Sequence, residues 1–306
     1  MSWRVVFRSL GGPEVLEIED VPEPHAGPGQ VRVAVTVMGL NPFDFKRFGG
    51  LPTSSGQAVA LPAGNGSDFA GTVDEVGEGV TGFTVGDEVW GGWIGHAQAE
   101  YLVIDPAKLN RRPEGLPVEV AGALFTVSGT AWASVASLGL TADDTVLVSA
   151  AAGGVGLLAV QLARRTGATV IGTAGPDNQE FVKSLGAIPV VYGEGAADRV
   201  RAVAPSPVTA ALDNQGRESV DLAISLGVPG NRINSIADYA APADFGASLV
   251  GSSGASDDDR RAVADLIARG EVRLPIDSTY RFDEVQQAYA HLLGRHVRGK
   301  VVLTSQ

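Results

Sequence analysis

The alternation of hydrophobic and polar positions divides the chain into two stretches of different character near residue 115. Before that point, apolar and polar residues alternate over short runs such as 30–38 (QVRVAVTVM) and 71–76 (GTVDEV), which predicts half-buried strands. Clusters of glycine and proline, among them PEPHAGPG at 22–29, separate these runs. Short strands divided by frequent turns predict a barrel-like β domain.

After residue 115, strand-like and helical runs alternate. An apolar, β-branched run at 145–150 precedes a helical run at 155–167, and a second strand-like run follows at 168–174. The remaining candidates are a helix at 178–187 and strands at 188–192, 208–214, 230–237 and 247–253. This alternation predicts a parallel sheet with helices on both faces.

The end of the chain carries one more helix and one more strand. Residues 283–294 have the spacing of an amphipathic helix. Its apolar side is predicted to consist of Val285, Ala288, Leu292 and Leu293. The run GKVVLTS at 299–305 then predicts a closing strand.

Length and charge narrow the class of protein. A chain of 306 residues fits about two domains, and a net charge of -12 with no basic run argues against a nucleic-acid partner. Uncharged stretches at 120–142 and 145–163 reach the length of a membrane span, but Gly, Ala, Ser and Thr fill them, which favours buried elements. Because the N-terminus lacks an apolar signal core, we expect a cytoplasmic protein with no membrane partner.

The supply of metal-binding side chains is small. The sequence has no cysteine and four histidines, so disulfides, thiolate nucleophiles and thiolate metal ligands are excluded. The histidines lack the usual spacing of a zinc site. We therefore expect no bound metal.

The clearest motif is AAAGGVG at 150–156, between a predicted strand and a predicted helix. Small residues there allow a tight turn, expose backbone N–H groups to a pyrophosphate and let the helix approach the sheet. The helix N-terminus adds partial positive charge for the anion. The motif predicts dinucleotide binding, although Ala151 stands where the usual pattern begins with glycine.

The end of the next predicted strand bears on which dinucleotide binds. Enzymes that use NAD usually hold the ribose with a carboxylate there, whereas Thr173, Ala174 and Gly175 occupy this position. Without that carboxylate, a 2'-phosphate is not repelled, which favours NADPH. Asp177 lies just beyond, and it leaves NAD open as the alternative.

Several motifs together resemble the zinc-independent quinone oxidoreductases, the zeta-crystallin-like family of the medium-chain dehydrogenase/reductase superfamily. They are AAAGGVGLLAVQLARRTGATVIGTA (150–174), GLNPFDFKRFGG (39–50), NGSDFAGTVDEVGEGVTGFTVGDEVW (65–90), AEYLV (99–103) and RGKVVL (298–303). The resemblance implies an α/β protein with a GroES-like β-barrel catalytic domain and a Rossmann doubly wound parallel sheet. Residues 1–118, completed by 270–306, would form the GroES-like domain, and 119–269 the Rossmann domain. It also implies a cleft site between the domains and a homodimer joined near 247–252.

The resemblance further implies particular cofactor contacts. The pyrophosphate is expected on Ala152, Gly153, Gly154, Val155 and Gly156. The 2'-phosphate is expected among Thr173, Asn178 and Tyr192, although Tyr192 could instead close a strand with no ligand role. The path from adenosine to nicotinamide is expected along Asn214, Ile236, Gly251 and Ser252, with Thr130 approaching the cofactor.

Differences from the zinc-containing relatives are informative. Those relatives place a cysteine where this chain has Asn41 and a His-Glu pair where it has Ser67 and Asp68, so the metal ligands are missing. Many quinone reductases have an aromatic residue at the position of Lys46. Asn41 could satisfy a turn before Pro42, and Lys46 could be a solvated surface lysine.

These observations lead to two hypotheses. In the first, NADPH passes hydride to a quinone or an α,β-unsaturated carbonyl without a metal, and Asn41 and Lys46 donate hydrogen bonds to the acceptor's oxygen. In the second, the chain is an NADPH-binding redox-sensing or structural protein with little turnover. Turnover with a panel of quinones and enals separates the two.

Overall fold

The computed structural model describes residues 1–51, 58–294 and 296–305, and the chain forms two compact units. The first comprises Met1–Thr126, Ala264–Glu271 and Pro275–Gln306, and the second comprises Val127–Val263 and Val272–Leu274. The structural division therefore falls after Thr126 and around Ala264, whereas the family resemblance implies boundaries at 118 and 270.

The strands are, in chain order, β1 (Ser2–Phe7), β2 (Leu16–Val21), β3 (Val31–Gly39), β4 (Ala63–Gly64), β5 (Asp68–Val76), β6 (Glu88–Gly92), β7 (Tyr101–Ile104), β8 (Leu109–Arg111), β9 (Thr145–Val148), β10 (Thr169–Ala174), β11 (Ile188–Val191), β12 (Ala210–Asp213), β13 (Ile233–Ser235), β14 (Ile276–Arg281) and β15 (Lys300–Thr304). The α-helices are α1 (Pro42–Phe48), α2 (Val118–Ala121), α3 (Phe125–Ser137), α4 (Gly154–Arg165), α5 (Gln179–Ser184), α6 (Ala196–Val203), α7 (Arg217–Ser225), α8 (Ala241–Phe245), α9 (Asp257–Ala268) and α10 (Val285–Leu293).

The first unit is built mainly from antiparallel strands. One sheet has the order β14-β15-β3-β5-β6-β8 with β7 also paired to β3, and a second sheet has the order β2-β1-β4. On β3 the side chains of Val31, Val33 and Val35 are buried in alternation with more exposed neighbours, as the sequence pattern predicts. These valines join Phe69 and Tyr289 in the core of the unit.

The second unit contains a parallel sheet of order β11-β10-β9-β12-β13 with helices between its strands. β9 lies at its centre and is fully buried, which explains its run of β-branched and apolar residues. The two predicted architectures, a GroES-like unit and a Rossmann unit, are both confirmed. Within the described ranges, no helix combines the length and apolarity that a bilayer crossing requires.

The strand predicted at 247–253 is wrong. This segment forms one isolated bridge, between Ser248 and Asn234, and then a 3₁₀ turn at Ser252–Gly254. The side chain of Asn234 accepts a hydrogen bond from the Val250 N–H at 2.7 Å and donates one to the Val250 carbonyl at 2.9 Å. A side chain thus takes the backbone groups that a ladder would use. The homodimer expected through this segment stays a prediction.

The predicted C-terminal helix forms as α10, but its buried side differs in part from the expected one. Val285 and Ala288 are buried, as is Tyr289, whereas Leu292 and Leu293 are only partly covered. Tyr289 falls on the same face as Val285 because it lies four positions beyond it.

Candidate functional site

The glycine-rich turn of the second unit lies at the carboxyl end of the central strand β9. Gly153 is the N-cap of α4, and Ala150 has a φ of 47°. Left-handed backbone is disfavoured for a residue with a Cβ, so the backbone of the turn is strained at Ala150. The turn is tied to β10 by a hydrogen bond from the Ala151 N–H to the Thr173 carbonyl, 2.9 Å.

The two outer glycines of the turn have different surroundings. A Cβ on Gly156 would lie 2.1 Å from the Ala150 carbonyl oxygen, so only glycine allows α4 to approach the turn. A Cβ on Gly153 would meet one atom within 4 Å, the same oxygen at 3.4 Å. The space beside Gly153 is therefore open, and it lies at the helix end whose free N–H groups attract anions. This cradle fits the pyrophosphate of a dinucleotide.

Two of the three residues predicted to surround the 2'-phosphate line a cavity of about 300 Å³. Thr173 and Tyr192 both line it, whereas Asn178 is the N-cap of α5 and is not part of the lining. The lining, within the part of the chain that the structure describes, includes Glu218 and Asp221 but no lysine or arginine.

A cation nevertheless lies beside this cavity. Arg199 donates hydrogen bonds to the carbonyls of the turn that carries Tyr192: Nε to Val191 at 3.0 Å, Nη1 to Glu194 at 2.8 Å and Nη2 to Tyr192 at 3.2 Å. The guanidinium therefore fixes the turn and places a positive charge next to Tyr192. The sequence pattern did not single out Arg199, since nothing in the local spacing separates it from a solvated helix arginine.

The predicted adenosine-to-nicotinamide residues follow the carboxyl ends of neighbouring strands. Asn214, after β12, donates from its backbone N–H to Ser149 Oγ at 2.8 Å and from Nδ2 to the Ser149 carbonyl at 3.0 Å. Ile236, after β13, donates its N–H to the Asp213 carbonyl at 3.0 Å. This is the edge at which open parallel sheets bind nucleotides.

Thr130, Gly251 and Ser252 lie on elements that pack together in the same unit. Thr130 is buried in α3, and a Cβ on its neighbour Gly129 would come within 2.9 Å of Ser252 Oγ. Arg260 holds this loop by donating Nη2 to the Ser252 carbonyl at 2.6 Å. The structure thus brings these three predicted residues into one region.

In the first unit, Asn41 lies at the start of α1 and is 3% exposed. Its N–H donates to Asp44 Oδ2 at 3.0 Å, and the Asp44 N–H donates to the Asn41 carbonyl at 3.0 Å, so the expected turn role is present. The side-chain oxygen of Asn41 accepts a hydrogen bond from Lys300 Nζ at 2.5 Å. Lys46 lies on the same helix and is partly buried.

The three positions at which zinc-containing relatives carry ligands come together here, and only Asp68 keeps a side chain of a type that binds zinc. Ser67 Oγ donates to Asp44 Oδ1 at 2.5 Å, Asp68 Oδ1 accepts from the Thr126 N–H at 3.1 Å, and Lys300 Nζ lies 3.7 Å from Asp68 Oδ2. Nowhere in 1–51, 58–294 or 296–305 do three His, Cys, Asp or Glu side chains form a metal-binding group. An amide, a hydroxyl and a single carboxylate that already faces the Lys300 ammonium do not make up a zinc site.

Burial shifts the pKa values of three side chains in this cluster. Burial raises the pKa of Asp44 to about 6, against the Ser67 hydrogen bond, which lowers it. The pKa of the Tyr289 hydroxyl is raised by burial and by the nearby Asp44 charge. Burial lowers the pKa of Lys300, and Asp68 and Asp44 oppose that change.

We expect Asp44→Asn to stabilise the protein at neutral pH. Because the folded-state pKa of Asp44 lies above its ordinary value of 3.8, its contribution to stability is present below pH 3.8 and is lost as the pH rises through about 6. The loss amounts to about 3 kcal/mol, and an amide, which can still bond the Asn41 N–H and Ser67, avoids it.

Urea unfolding of wild type and Asp44→Asn at pH 4 and pH 7 measures this effect. The variant should gain stability relative to wild type as the pH rises, while the exposed-site control Asp20→Asn should not. Equal pH dependence in wild type and Asp44→Asn would show that Asp44 is ionised without cost in the fold.

The sequence analysis did not identify four buried residues of the cluster as site candidates: Asn65, Gln98, Tyr289 and Lys300. Asn65 Nδ2 and Gln98 Nε2 each donate to the Tyr289 hydroxyl at 3.0 Å. Helical spacing from Val285 could have indicated Tyr289. Nothing local indicates Lys300, because the three residues that follow it on β15 are apolar and buried.

Comparison with known proteins agrees with this geometry. Residues 27–150 match the alcohol dehydrogenase GroES-like domain family, and residues 185–303 match the zinc-binding dehydrogenase family. A quinone oxidoreductase of Pseudomonas aeruginosa is 32% identical over 99% of this chain and 99% of its own length. The chain also matches polyketide synthases, such as one from Mycobacterium tuberculosis, over 9% of their length.

Solved structures show the same likeness across the whole chain. An NAD-dependent alcohol dehydrogenase is 31% identical with a TM-score of 0.87, and the match covers 99% of this chain and 100% of that one. A mycobacterial protein in complex with NADPH is 27% identical with a TM-score of 0.84, with the same coverage. Fold, nucleotide cradle and full-length likeness lead to one conclusion: the chain is an oxidoreductase of the medium-chain dehydrogenase/reductase superfamily, which binds a nicotinamide cofactor, and it belongs to the quinone oxidoreductase family.

Proposed function

We propose that the protein uses NADPH to reduce a quinone or an α,β-unsaturated carbonyl without a metal. The observation that carries this proposal is the cluster of Asn41, Ser67 and Asp68, in which the cation is the Lys300 ammonium. A site with these groups does not polarise an unactivated ketone as a metal does. Acceptors that are already electrophilic are therefore favoured.

The residues of the two units have separate tasks in this proposal. The turn 152–156 binds the pyrophosphate, and the nicotinamide supplies the hydride when it is bound. Asn41 and Lys46 donate hydrogen bonds to the acceptor's oxygen, where negative charge develops. Water supplies the proton, since we assign no side chain as the acid.

The experiment is NADPH oxidation across a panel of quinones, enones, enals and saturated ketones, with metal content measured in the same preparation. We expect turnover with the first three classes, unaffected by chelators. Tight NADPH binding without turnover on the panel would instead support the redox-sensing or structural alternative. Activity that requires a bound zinc would contradict the metal-free proposal.

We expect NADPH to bind at least about tenfold more tightly than NADH, a difference of about 1.4 kcal/mol. The Arg199 charge beside Tyr192 and the absence of a carboxylate at Thr173 favour the 2'-phosphate. Glu218 and Asp221, which also line the cavity, oppose it. Titration of both nucleotides by fluorescence checks the preference, with Arg199→Met expected to reduce it. A preference for NADH would mean that these carboxylates or Asp177 dominate.

A further inference from the structure

Lys300 on β15 is buried beside Asn41 and has no task in the reaction as described above. Its side chain is 4% exposed, and Nζ donates to the Asn41 side-chain oxygen at 2.5 Å and to the Leu40 carbonyl at 2.7 Å. Asp68 Oδ2 lies 3.7 Å from the same nitrogen. A buried cation is unfavourable unless such contacts hold it, so the ammonium has a defined position.

This ammonium determines which way the Asn41 carboxamide faces. An ammonium only donates hydrogen bonds, so the atom turned towards it has to be the carboxamide oxygen. The nitrogen Nδ2 is consequently turned away from Lys300. Among the described residues, buried Nδ2 has no hydrogen-bond partner within the protein. A donor that is buried and unsatisfied in this way is costly in a fold and suited to a ligand's acceptor atom.

Without the ammonium, the same surroundings favour the opposite orientation. The Leu40 carbonyl and the Asp68 carboxylate, which Lys300 contacts, are both acceptors. They would attract the NH₂ group of Asn41 and leave its oxygen turned outward. The hydride acceptor's oxygen gains negative charge during reduction. The Asn41 oxygen would repel that charge, whereas the Asn41 N–H stabilises it.

We propose that Lys300 is a positioning residue, which fixes the Asn41 carboxamide so that Nδ2–H is available to the oxygen of the hydride acceptor. The inference rests on the proposed function, because it assumes an acceptor with a carbonyl or quinone oxygen. Lys300 itself does not touch the substrate. It holds the Asn41 amide in one of two orientations. One orientation presents the partly positive N–H to the ligand, and the other presents the partly negative oxygen.

Kinetics test the proposal through Lys300→Met, which keeps the length of the side chain and removes every donor. We expect kcat to fall about tenfold to a hundredfold, with NADPH affinity unchanged. The loss should be smaller than the roughly hundredfold to thousandfold loss that follows deletion of an oxyanion donor, because the Asn41 carboxamide is still present and only its orientation is released. The double variant Asn41→Ala/Lys300→Met should be no slower than Asn41→Ala, because the lysine acts through that side chain. Two effects that multiply would indicate separate packing roles and overturn the proposal.

Asn41→Asp is the matched control for shape. The carboxylate keeps the size of Asn41 and its contact with Lys300 but offers no donor at the other oxygen. We expect it to fold and to lose turnover as Asn41→Ala does. Full turnover by Asn41→Asp would show that the Nδ2 donor is not used, and the proposal would fail.

A second readout does not depend on any acceptor. In protein labelled with ¹⁵N-asparagine, the Asn41 NH₂ signal is identified by its loss in Asn41→Ala, and it should shift when Lys300 becomes Met. If Lys300→Met does not fold, Lys300→Gln is used with both readouts, since glutamine can face Asn41 with either atom and fixes neither orientation. An unchanged signal, or wild-type turnover in the folded variant, overturns the proposal. If wild type reduces nothing on the panel, the proposed function fails, and the signal alone decides whether Lys300 orients Asn41.

Discussion

Gly153→Val is expected to weaken NADPH binding by at least about a hundredfold, or about 2.7 kcal/mol, while the cofactor-free protein stays folded. The fold tolerates the change because a Cβ there meets only the Ala150 oxygen at 3.4 Å, and the φ of −79° suits any residue. The branched side chain would instead fill the open space at the N-terminus of α4, where we place the pyrophosphate.

Fluorescence titration with NADPH measures the loss of affinity, and thermal unfolding of the cofactor-free variant checks that the fold is retained. Gly153→Ala, a smaller addition at the same position, should give an intermediate loss of affinity. Normal NADPH binding by Gly153→Val would mean that the cofactor's phosphates lie elsewhere, and the cradle assignment would be wrong.

Gly156→Ala is expected to act on the fold rather than on the ligand. The new Cβ would lie 2.1 Å from the Ala150 carbonyl oxygen and 3.1 Å from the Ala151 Cα, and both are backbone atoms that cannot turn aside. Helix α4 would have to move away from the turn, at a cost of about 1–3 kcal/mol or more.

Urea unfolding of the cofactor-free protein measures this loss, and Gly153→Ala is its matched control. The two variants make the same chemical change three residues apart. Helix propensity favours alanine at Gly156, which lies inside α4, so a loss of stability there has to come from what the methyl group meets. If Gly156→Ala proves as stable as Gly153→Ala, α4 does not approach the turn as closely as its position indicates.

Local patterns were sufficient for the elements that build the nucleotide cradle. The run 145–150, the turn at 150–156 and the helix after it appear as β9, the turn and α4, because burial of β9 and close approach at Gly156 each leave a distinct composition. The alternation on β3 was equally direct, since one face of that strand is packed and the other is more open.

The polar cluster of the first unit could not be obtained in this way. Lys300 and Asn41 are 259 positions apart in sequence, and their contact depends on β15 pairing beside β3. Lys300 precedes the apolar run 301–303, and local composition does not distinguish a buried lysine there from one at an exposed strand end. The strand prediction for 247–253 failed for the converse reason. The composition of this segment suits a strand, but the Asn234 side chain bonds the Val250 N–H and carbonyl that strand pairing requires.

The Lys300 ammonium has a consequence for how the protein depends on its surroundings. A metal ion in such a position is held by equilibrium, and it can be lost to a chelator or displaced by a competitor that binds the same ligands more strongly. An ammonium on a side chain is attached by covalent bonds, so its occupancy is complete from the moment the chain folds. The cation of this site is therefore part of the polypeptide itself, and its presence does not depend on the concentrations of transition metals around the protein.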